Sequence, residues 1–243
     1  MSFDEATAEV YDKHTLEDEN AVAFLAEIAR GGPALELAIG TGRIALPLAR
    51  RGIRVDGIDI SPAMVAKLRA KQGGDQLKVT IGDFSLVPVE GAYRLIYLVA
   101  NTLFNLLTQD EQVRCFQNVV PHLCDEGVFV IEAFTPINLM DLRDDQYVKA
   151  EAVEMGEVRL DVVRHDSVHQ LLYESHLTFT AGGVRLEPIV TRYAWPSEMD
   201  LMARIAGLSL RERWTGWNRE PVRANSRSLV SVYGRPAAGV TSI

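Results

Sequence analysis

Ala34-Leu-Glu-Leu-Ala-Ile39 is a short apolar run that ends on Gly40-Thr-Gly42. A run this short reads as a buried strand, and glycines directly behind it read as a tight turn into a helix. Residues 43–51 suit that helix, and 53–60 form a second apolar run. Ser61-Pro62 then opens another helix, with Ser as N-cap and Pro in the first turn, and Met64, Val65 and Leu68 share one face. Strand, helix and strand in this order demand a crossover, and a crossover produces parallel pairing.

The rhythm continues. Leu77 to Ile81 reads as a third strand. Tyr93 to Ala100 reads as a fourth, almost wholly apolar as in a strand buried on both faces. Thr108-Gln-Asp-Glu111 is a capping box opening a helix to about Leu123, and Val128 to Phe134 makes a fifth strand. The expectation is an α/β fold: Rossmann-like, doubly wound, with a mostly parallel seven-stranded sheet. The first 30 residues read as helix, with Val22, Leu25, Ile28 and Ala29 at helical spacing and Gly31-Gly32-Pro33 as the stop.

After Pro136 the pattern changes. Residues 147–155, 157–165, 171–180 and 184–194 read as strands separated by turn signals such as Gly156 and Gly182-Gly183. Val158, Leu160 and Val162 alternate with Glu157, Arg159 and Asp161, a period of two that fits antiparallel strands with one wet face. The chain therefore divides into a main domain, 1–136 with 195–243, and an antiparallel β insert at 137–194. Residues 196–208 read as helix. Strands near 210–214 and 228–233 return to the main sheet.

Composition removes several classes. The 243 residues carry a net charge of −8, which is poor for binding nucleic acid. Cys115 and Cys124 make neither a disulfide framework nor a C-x-x-C zinc site, and no H-E-x-x-H spacing points to another metal. No apolar run approaches the roughly 18 residues of a membrane span. The N-terminus is acidic rather than signal-like, so the expected compartment is the cytoplasm.

In an open α/β sheet, ligands bind outside the carboxyl ends of the strands. Four features fall there. Glu36 to Gly42 ends the first strand; its glycines serve either a ligand approaching the backbone or a tight turn. Asp59 ends the second strand, where a carboxylate can accept the hydroxyl hydrogens of a ribose or cap the next helix. Gly82-Asp83-Phe84 ends the third, where Asp83 can accept from an adenine amino group or form a turn. Asn101-Thr-Leu-Phe104-Asn105 follows the fourth, as a ligand-facing loop or ordinary capping chemistry.

Glu36-x-x-x-Gly40-x-Gly42, Gly57-Ile-Asp59-Ile-Ser61 and Gly82-Asp83, in this order and spacing, resemble the first three motifs of class I S-adenosylmethionine-dependent methyltransferases of small molecules. The resemblance covers about residues 30 to 135. It implies S-adenosylmethionine as cofactor, S-adenosylhomocysteine as product, and methyl transfer to nitrogen or oxygen of a small-molecule acceptor. Gly40 and Gly42 would lie beside the methionine portion, Glu36 at its amino end and Asp59 on the ribose. Ile60, Met64, Asp83 and Phe84 would stand around the adenine, with Asn101 nearby. Tyr11-Asp12 resembles an N-terminal segment whose tyrosine reaches the cofactor carboxylate as a lid. Two positions depart from the pattern: Cys124-Asp-Glu-Gly127 replaces Pro-Gly-Gly, and Ile44 replaces a third glycine.

Within this family the resemblance extends to sugar N-methyltransferases of antibiotic pathways, where such an insert covers the acceptor pocket or forms a subunit contact, so a homodimer enters as an expectation. His165, His169 and His176 are the general-base candidates if the acceptor arrives protonated. Phe104, Asn105, Trp195 and Trp217 are the acceptor-pocket candidates. Arg192 and the arginines behind it read as a solvated, salt-bridged surface. Two rivals stand beside this reading. One is a binding module or non-methylating enzyme that retains the cofactor. The other is an NAD-dependent dehydrogenase, because Gly40-Thr-Gly42-Arg-Ile-Ala45 also satisfies G-x-G-x-x-A.

Overall fold

The computed structural model describes residues 12, 18–139 and 142–236. Helix α1 (Glu19–Ala29) starts at Asp18, whose carboxylate accepts the amides of Asn20 and Ala21 at 3.1 Å. There follow β1 (Ala34–Leu37), α2 (Ala45–Arg50), β2 (Val55–Asp59), α3 (Pro62–Arg69), β3 (Lys78–Ile81), β4 (Tyr93–Leu98), α4 (Gln109–Val119) and β5 (Leu123–Phe134). After the insert come α5 (Pro196–Ile205), β10 (Ser209–Trp214) and β11 (Ser228–Gly234). The seven strands lie in the order β10-β11-β5-β4-β1-β2-β3. Strands β1 to β5 pair in parallel; β11 runs antiparallel to β5, and β10 antiparallel to β11.

The chain leaves β1 toward β2 and later returns to its other side with β4. That reversal opens a crevice at the carboxyl end of β1. Two apolar layers hold the sheet. Phe116 of α4 and Met199 and Met202 of α5 pack with Ile96, Phe129 and Tyr233 on one side. Phe24 and Leu25 of α1 and Leu48 of α2 pack with Leu95, Tyr97 and Val130 on the other.

The capping box forms: Thr108 Oγ1 accepts the Glu111 amide at 3.2 Å, and the Glu111 carboxylate accepts the Thr108 amide at 3.0 Å. Helix α4 stops at Val119, earlier than the expected Leu123, because Pro121 sits in the following 3-10 turn and offers no amide. Strand β5 starts earlier than the expected Val128. Tyr93 pairs with Leu123 but Leu95 already pairs with Val128, so Cys124 to Gly127 are absorbed as an irregularity inside the strand.

The insert is a separate four-stranded antiparallel sheet, β6 (Gln146–Val153), β7 (Glu157–Asp166), β8 (Leu171–Thr180) and β9 (Gly183–Arg192), in sequence order. Val163 and Leu172 from its base are buried in the main core. The expectation of a solvated Arg192 is overturned. Arg192 is 6% exposed, and its guanidinium donates to Gln112 of α4 at 2.7 Å, Gln170 at 2.9 Å and Glu198 of α5 at 2.8 Å. The carboxylate of Glu198 also accepts from Gln109 and Gln170, each at 2.8 Å. A buried guanidinium needs this full set of acceptors to offset its lost hydration. The network fastens the insert to both helices. Among the described residues, no helix is long and apolar enough to cross a membrane.

Candidate active site

The turn after β1 is built on left-handed backbone. Gly40 has φ of +56° and Gly42 of +81°, and Ala38 joins them at +58° although it carries a Cβ. Its height above the sheet is set by Gly57 in β2. A Cβ there would meet Ile39 Cδ1 at 2.4 Å, so only glycine lets Ile39 lie flat across β2. The turn thereby descends to Asp59. The Asp59 carboxylate accepts the Gly40 amide at 2.7 Å through one oxygen and the Ser61 amide at 2.8 Å through the other. Burial raises the pKa of Asp59 and these amides pull it back. With the Ile60 amide also drawn to it, the carboxylate still keeps a lone pair for a ligand hydroxyl.

Glu36 and Tyr97 face each other across β1 and β4, and the Tyr97 hydroxyl donates to Glu36 at 2.9 Å. Burial pushes the Glu36 carboxyl up to about 8, against the opposing pull of Tyr97 and the Arg43 charge. Such a group is poised to ionise when a cation arrives.

Ile60 is 63% exposed beside Asp59. Ile81, at the register position opposite Asp59 in β3, is also exposed. Two exposed isoleucines flanking a carboxylate suit a flat apolar ring with hydroxyls next to it. The sequence offered no signal for Ile81, since strand-terminal apolar residues are normally buried. Met64 is buried, and its methyl lies beneath Gly40. Asp83 caps the 3-10 turn Phe84–Leu86 by accepting the Ser85 amide at 2.8 Å, and half-buried Phe84 packs on the core.

Ala100 and Asn101 both adopt left-handed backbone, and Asn101 Oδ1 accepts the Phe134 amide at 2.7 Å. That amide ties the ends of β4 and β5 together. Phe104 is fully buried, edge-on to Phe134 with ring centres 5.0 Å apart, and Asn105 ends the same 3-10 turn half-buried. Tyr11 lies outside the described residues. Its neighbour Asp12 accepts Thr41 Oγ1 at 2.6 Å and pairs with Lys71 at 2.8 Å, directly over the glycine turn. Lys71 was not singled out from the sequence, because it looks like any solvated helix-end lysine.

The three histidines separate. His169 is exposed in the turn after β7 and contacts Asp166 at 2.9 Å, and His176 is exposed beside Asp161 at 2.6 Å. His165 is buried. Its Nε2 meets the Tyr193 hydroxyl at 3.0 Å, while Nδ1 has no hydrogen-bond partner and stands 4.0 Å from Asp145. On the same sheet face, half-buried Glu174 accepts only the Thr191 hydroxyl, at 3.4 Å, and has no ion-pair partner among the described residues. Burial raises its pKa.

The two tryptophans do not share a pocket. Half-buried Trp195 packs on the core beside α5, whereas Trp217 sits in the opposite layer, edge-on to Phe24 at 5.5 Å and donating to Glu132 at 3.0 Å. Among the described residues no cluster of His, Cys, Asp or Glu could hold a metal ion.

The crevice thus brings together a buried carboxyl, a strand-end carboxylate and two exposed isoleucines. A methyltransferase-domain family model matches residues 34–127, the stretch that carries these groups. The CcbJ methyltransferase from Streptomyces caelestis is 36% identical, with 95% of this chain and 96% of that chain covered at a TM-score of 0.88. CalS10, an amino pentose methyltransferase from Micromonospora echinaspora solved with S-adenosylmethionine bound, is 21% identical over 97% of this chain and 98% of its own, at a TM-score of 0.72. The cypemycin N-terminal methyltransferase of a Streptomyces species is 23% identical over 96% of this chain and 97% of its own. The dehydrogenase and non-catalytic readings of the glycine turn give way to these matches: the chain belongs to the S-adenosylmethionine-dependent methyltransferases.

Proposed function

We propose that this enzyme methylates an amine nitrogen of a small-molecule acceptor held between the carboxyl edge of the main sheet and the base of the insert. The carrying observation is Glu174, a half-buried carboxylate that forms no ion pair among the described residues, on the same sheet face as His165. Burying an anion is costly unless a positive group joins it. A protonated amine supplies that charge, whereas a phenol or carboxylic acid does not. Two relatives named for N-terminal and amino pentose methylation support nitrogen.

When bound, the cofactor supplies a methyl group already activated for in-line displacement. Everything else falls to the chain. Gly40, Gly42 and Glu36 receive the methionyl end, Asp59 the ribose, and Ile60, Asp83 and Phe84 the adenine, with Met64 supporting the turn and Asn101 fixing the loop beside it. An ammonium cannot attack until it loses a proton. In the tautomer whose Nε2–H donates to the Tyr193 hydroxyl, the His165 Nδ1, which has no hydrogen-bond partner, is the lone pair that takes it. His169 and His176 lie outside this role. Phe104 and Asn105 form the floor facing the insert.

The test is incubation of the purified protein with isotope-labelled S-adenosylmethionine and a panel of amines, phenols and carboxylic acids, read by mass spectrometry. Labelled N-methyl products are expected. Products confined to oxygen would overturn the reading.

A further inference from the structure

Strands β1 and β4 pair as far as Glu36 and Tyr97. Beyond that rung they part. The Ile39 amide donates to the Ile58 carbonyl at 2.9 Å and the Gly40 amide to Asp59, so β1 bends toward β2. On the other flank the Asn101 amide donates to the Glu132 carbonyl at 3.3 Å. The Ala100 amide donates to Glu132 Oε2 at 2.8 Å, so β4 bends toward β5. The crevice is the gap between the two bends. Asp59 anchors one side of it and Glu132 the other.

The bend at β4 is unfavourable by itself. Ala100 has φ of +52° and Asn101 of +62°. Asparagine tolerates this region, but in alanine the Cβ crowds the following carbonyl oxygen. The bend at β1 shares its turn with Gly40 and Gly42, whereas residues 99–108 contain no glycine. A non-glycine residue keeps such backbone only where its surroundings over-determine it, and such residues gather at functional sites. We infer that Glu132 is a positioning residue for methyl transfer, holding the Ala100 backbone in its left-handed shape so that the crevice keeps its width.

The carboxylate is itself fixed from behind. Its other oxygen, Oε1, accepts the Trp217 indole at 3.0 Å. Trp217 is buried and stands edge-on to Phe24 of α1. Two residues on, Arg219 lies over the same ring, with its guanidinium carbon 4.7 Å from the centroid, and donates to Glu27 at 2.7 and 2.9 Å. The loop after β10 is thereby pinned to α1, and the indole keeps Glu132 aimed at Ala100. Both oxygens of half-buried Glu132 are engaged by N–H donors, unlike Glu174, whose hydroxyl contact is long. Hydrogen bonds to a carboxylate are roughly twice as strong as neutral ones, which suits the task of holding strained backbone. Without this bond Ala100 relaxes to negative φ and the end of β4 swings into the gap. The inference rests on the cofactor occupying this crevice and not on which acceptor is methylated.

Isothermal titration of the full chain with S-adenosylhomocysteine tests it, with circular dichroism recorded for every variant. Glu132→Ala is expected to lose about 10- to 100-fold in affinity, the worth of a hydrogen bond to a charged group. Glu132→Gln keeps an oxygen for the Ala100 amide and is expected to recover most of that loss. The deciding comparison adds Ala100→Gly to Glu132→Ala. Glycine takes left-handed backbone without the Cβ clash, so the double variant is expected to bind roughly 5- to 30-fold tighter than Glu132→Ala alone. A role in packing only would leave those two equal. Should Glu132→Ala lose its fold, Trp217→Phe removes the indole donor while keeping a ring on Phe24, and is read with and without Ala100→Gly in the same way. Wild-type affinity in a folded Glu132→Ala protein, or a loss that Ala100→Gly leaves untouched, overturns the inference alone. A wild type that binds no S-adenosylhomocysteine overturns the crevice reading and this inference with it.

Discussion

Asp59 and Gly40 are joined by a 2.7 Å hydrogen bond from the glycine amide to the carboxylate. One side chain thus shapes the glycine loop after β1 and stands where the ribose is proposed to bind. Asp59→Ala removes both the ligand contact and the loop's anchor. Loss of such a paired group costs on the order of 1–3 kcal/mol, which is about 5- to 150-fold in affinity. Isothermal titration with S-adenosylhomocysteine reads it directly. Wild-type affinity in the variant would contradict the ribose assignment.

Glu36 gives the free protein a pH signature. Its native carboxyl titrates near 8, against an ordinary 4.5. The folded state therefore holds a proton that the unfolded state has lost, and stability falls as pH rises from the ordinary value through about 8. Glu36→Gln is expected to flatten that decline in urea titrations taken across the range. A cationic ligand end next to Glu36 drives its ionisation. S-adenosylhomocysteine binding at neutral pH is accordingly expected to release a proton, seen by calorimetry in buffers of different ionisation enthalpy, and the release should vanish in the variant.

Gly57 is a packing requirement rather than a contact with ligand. Gly57→Ala drives a methyl into Ile39, a clash that typically costs about 1–3 kcal/mol. The glycine turn is lifted at the same time. Chemical denaturation and S-adenosylhomocysteine titration should both register the change. A fully stable variant with unaltered binding would mean that Ile39 relocates freely.

Arg192→Leu leaves half-buried Glu198 without its cation and the side-chain oxygens of Gln112 and Gln170 without this donor. Removing one partner of such a buried network costs about 3–5 kcal/mol. A lowered midpoint of thermal unfolding measures it. Arg192→Lys should recover little, because an ammonium cannot reach three acceptors in the planar geometry of the guanidinium.

His165→Gln tests the proton route once an amine acceptor is in hand. The expected loss in kcat is roughly 10²- to 10⁴-fold, relieved at high pH where the amine arrives unprotonated, with S-adenosylhomocysteine affinity unchanged. A pH-independent loss would mark His165 as packing alone.

The local signals in this sequence survived folding well. Ser61, Thr108 and the glycines after β1 act through neighbours a few residues away, so their roles can be read along the chain. Arg192 was misjudged because its decisive acceptor, Gln112, lies 80 residues upstream on another helix. Alternation in the insert announced two different faces. It did not say which face turns inward, since that depends on how the base of the sheet docks on the main core. Glu174 passed unnoticed for the same reason: a strand glutamate between Tyr173 and Ser175 looks solvated until the sheet is placed.

The clamp of Asp59 on Gly40 and Ser61 has one more consequence. Held by these two bonds, the loop after β1 needs little reordering when a ligand arrives. Association is then spared much of the entropic penalty of loop ordering, and contact energy goes into selectivity. Discrimination between substrate and product forms of the cofactor would therefore rest on charge at the sulfur rather than on any rearrangement of the cradle.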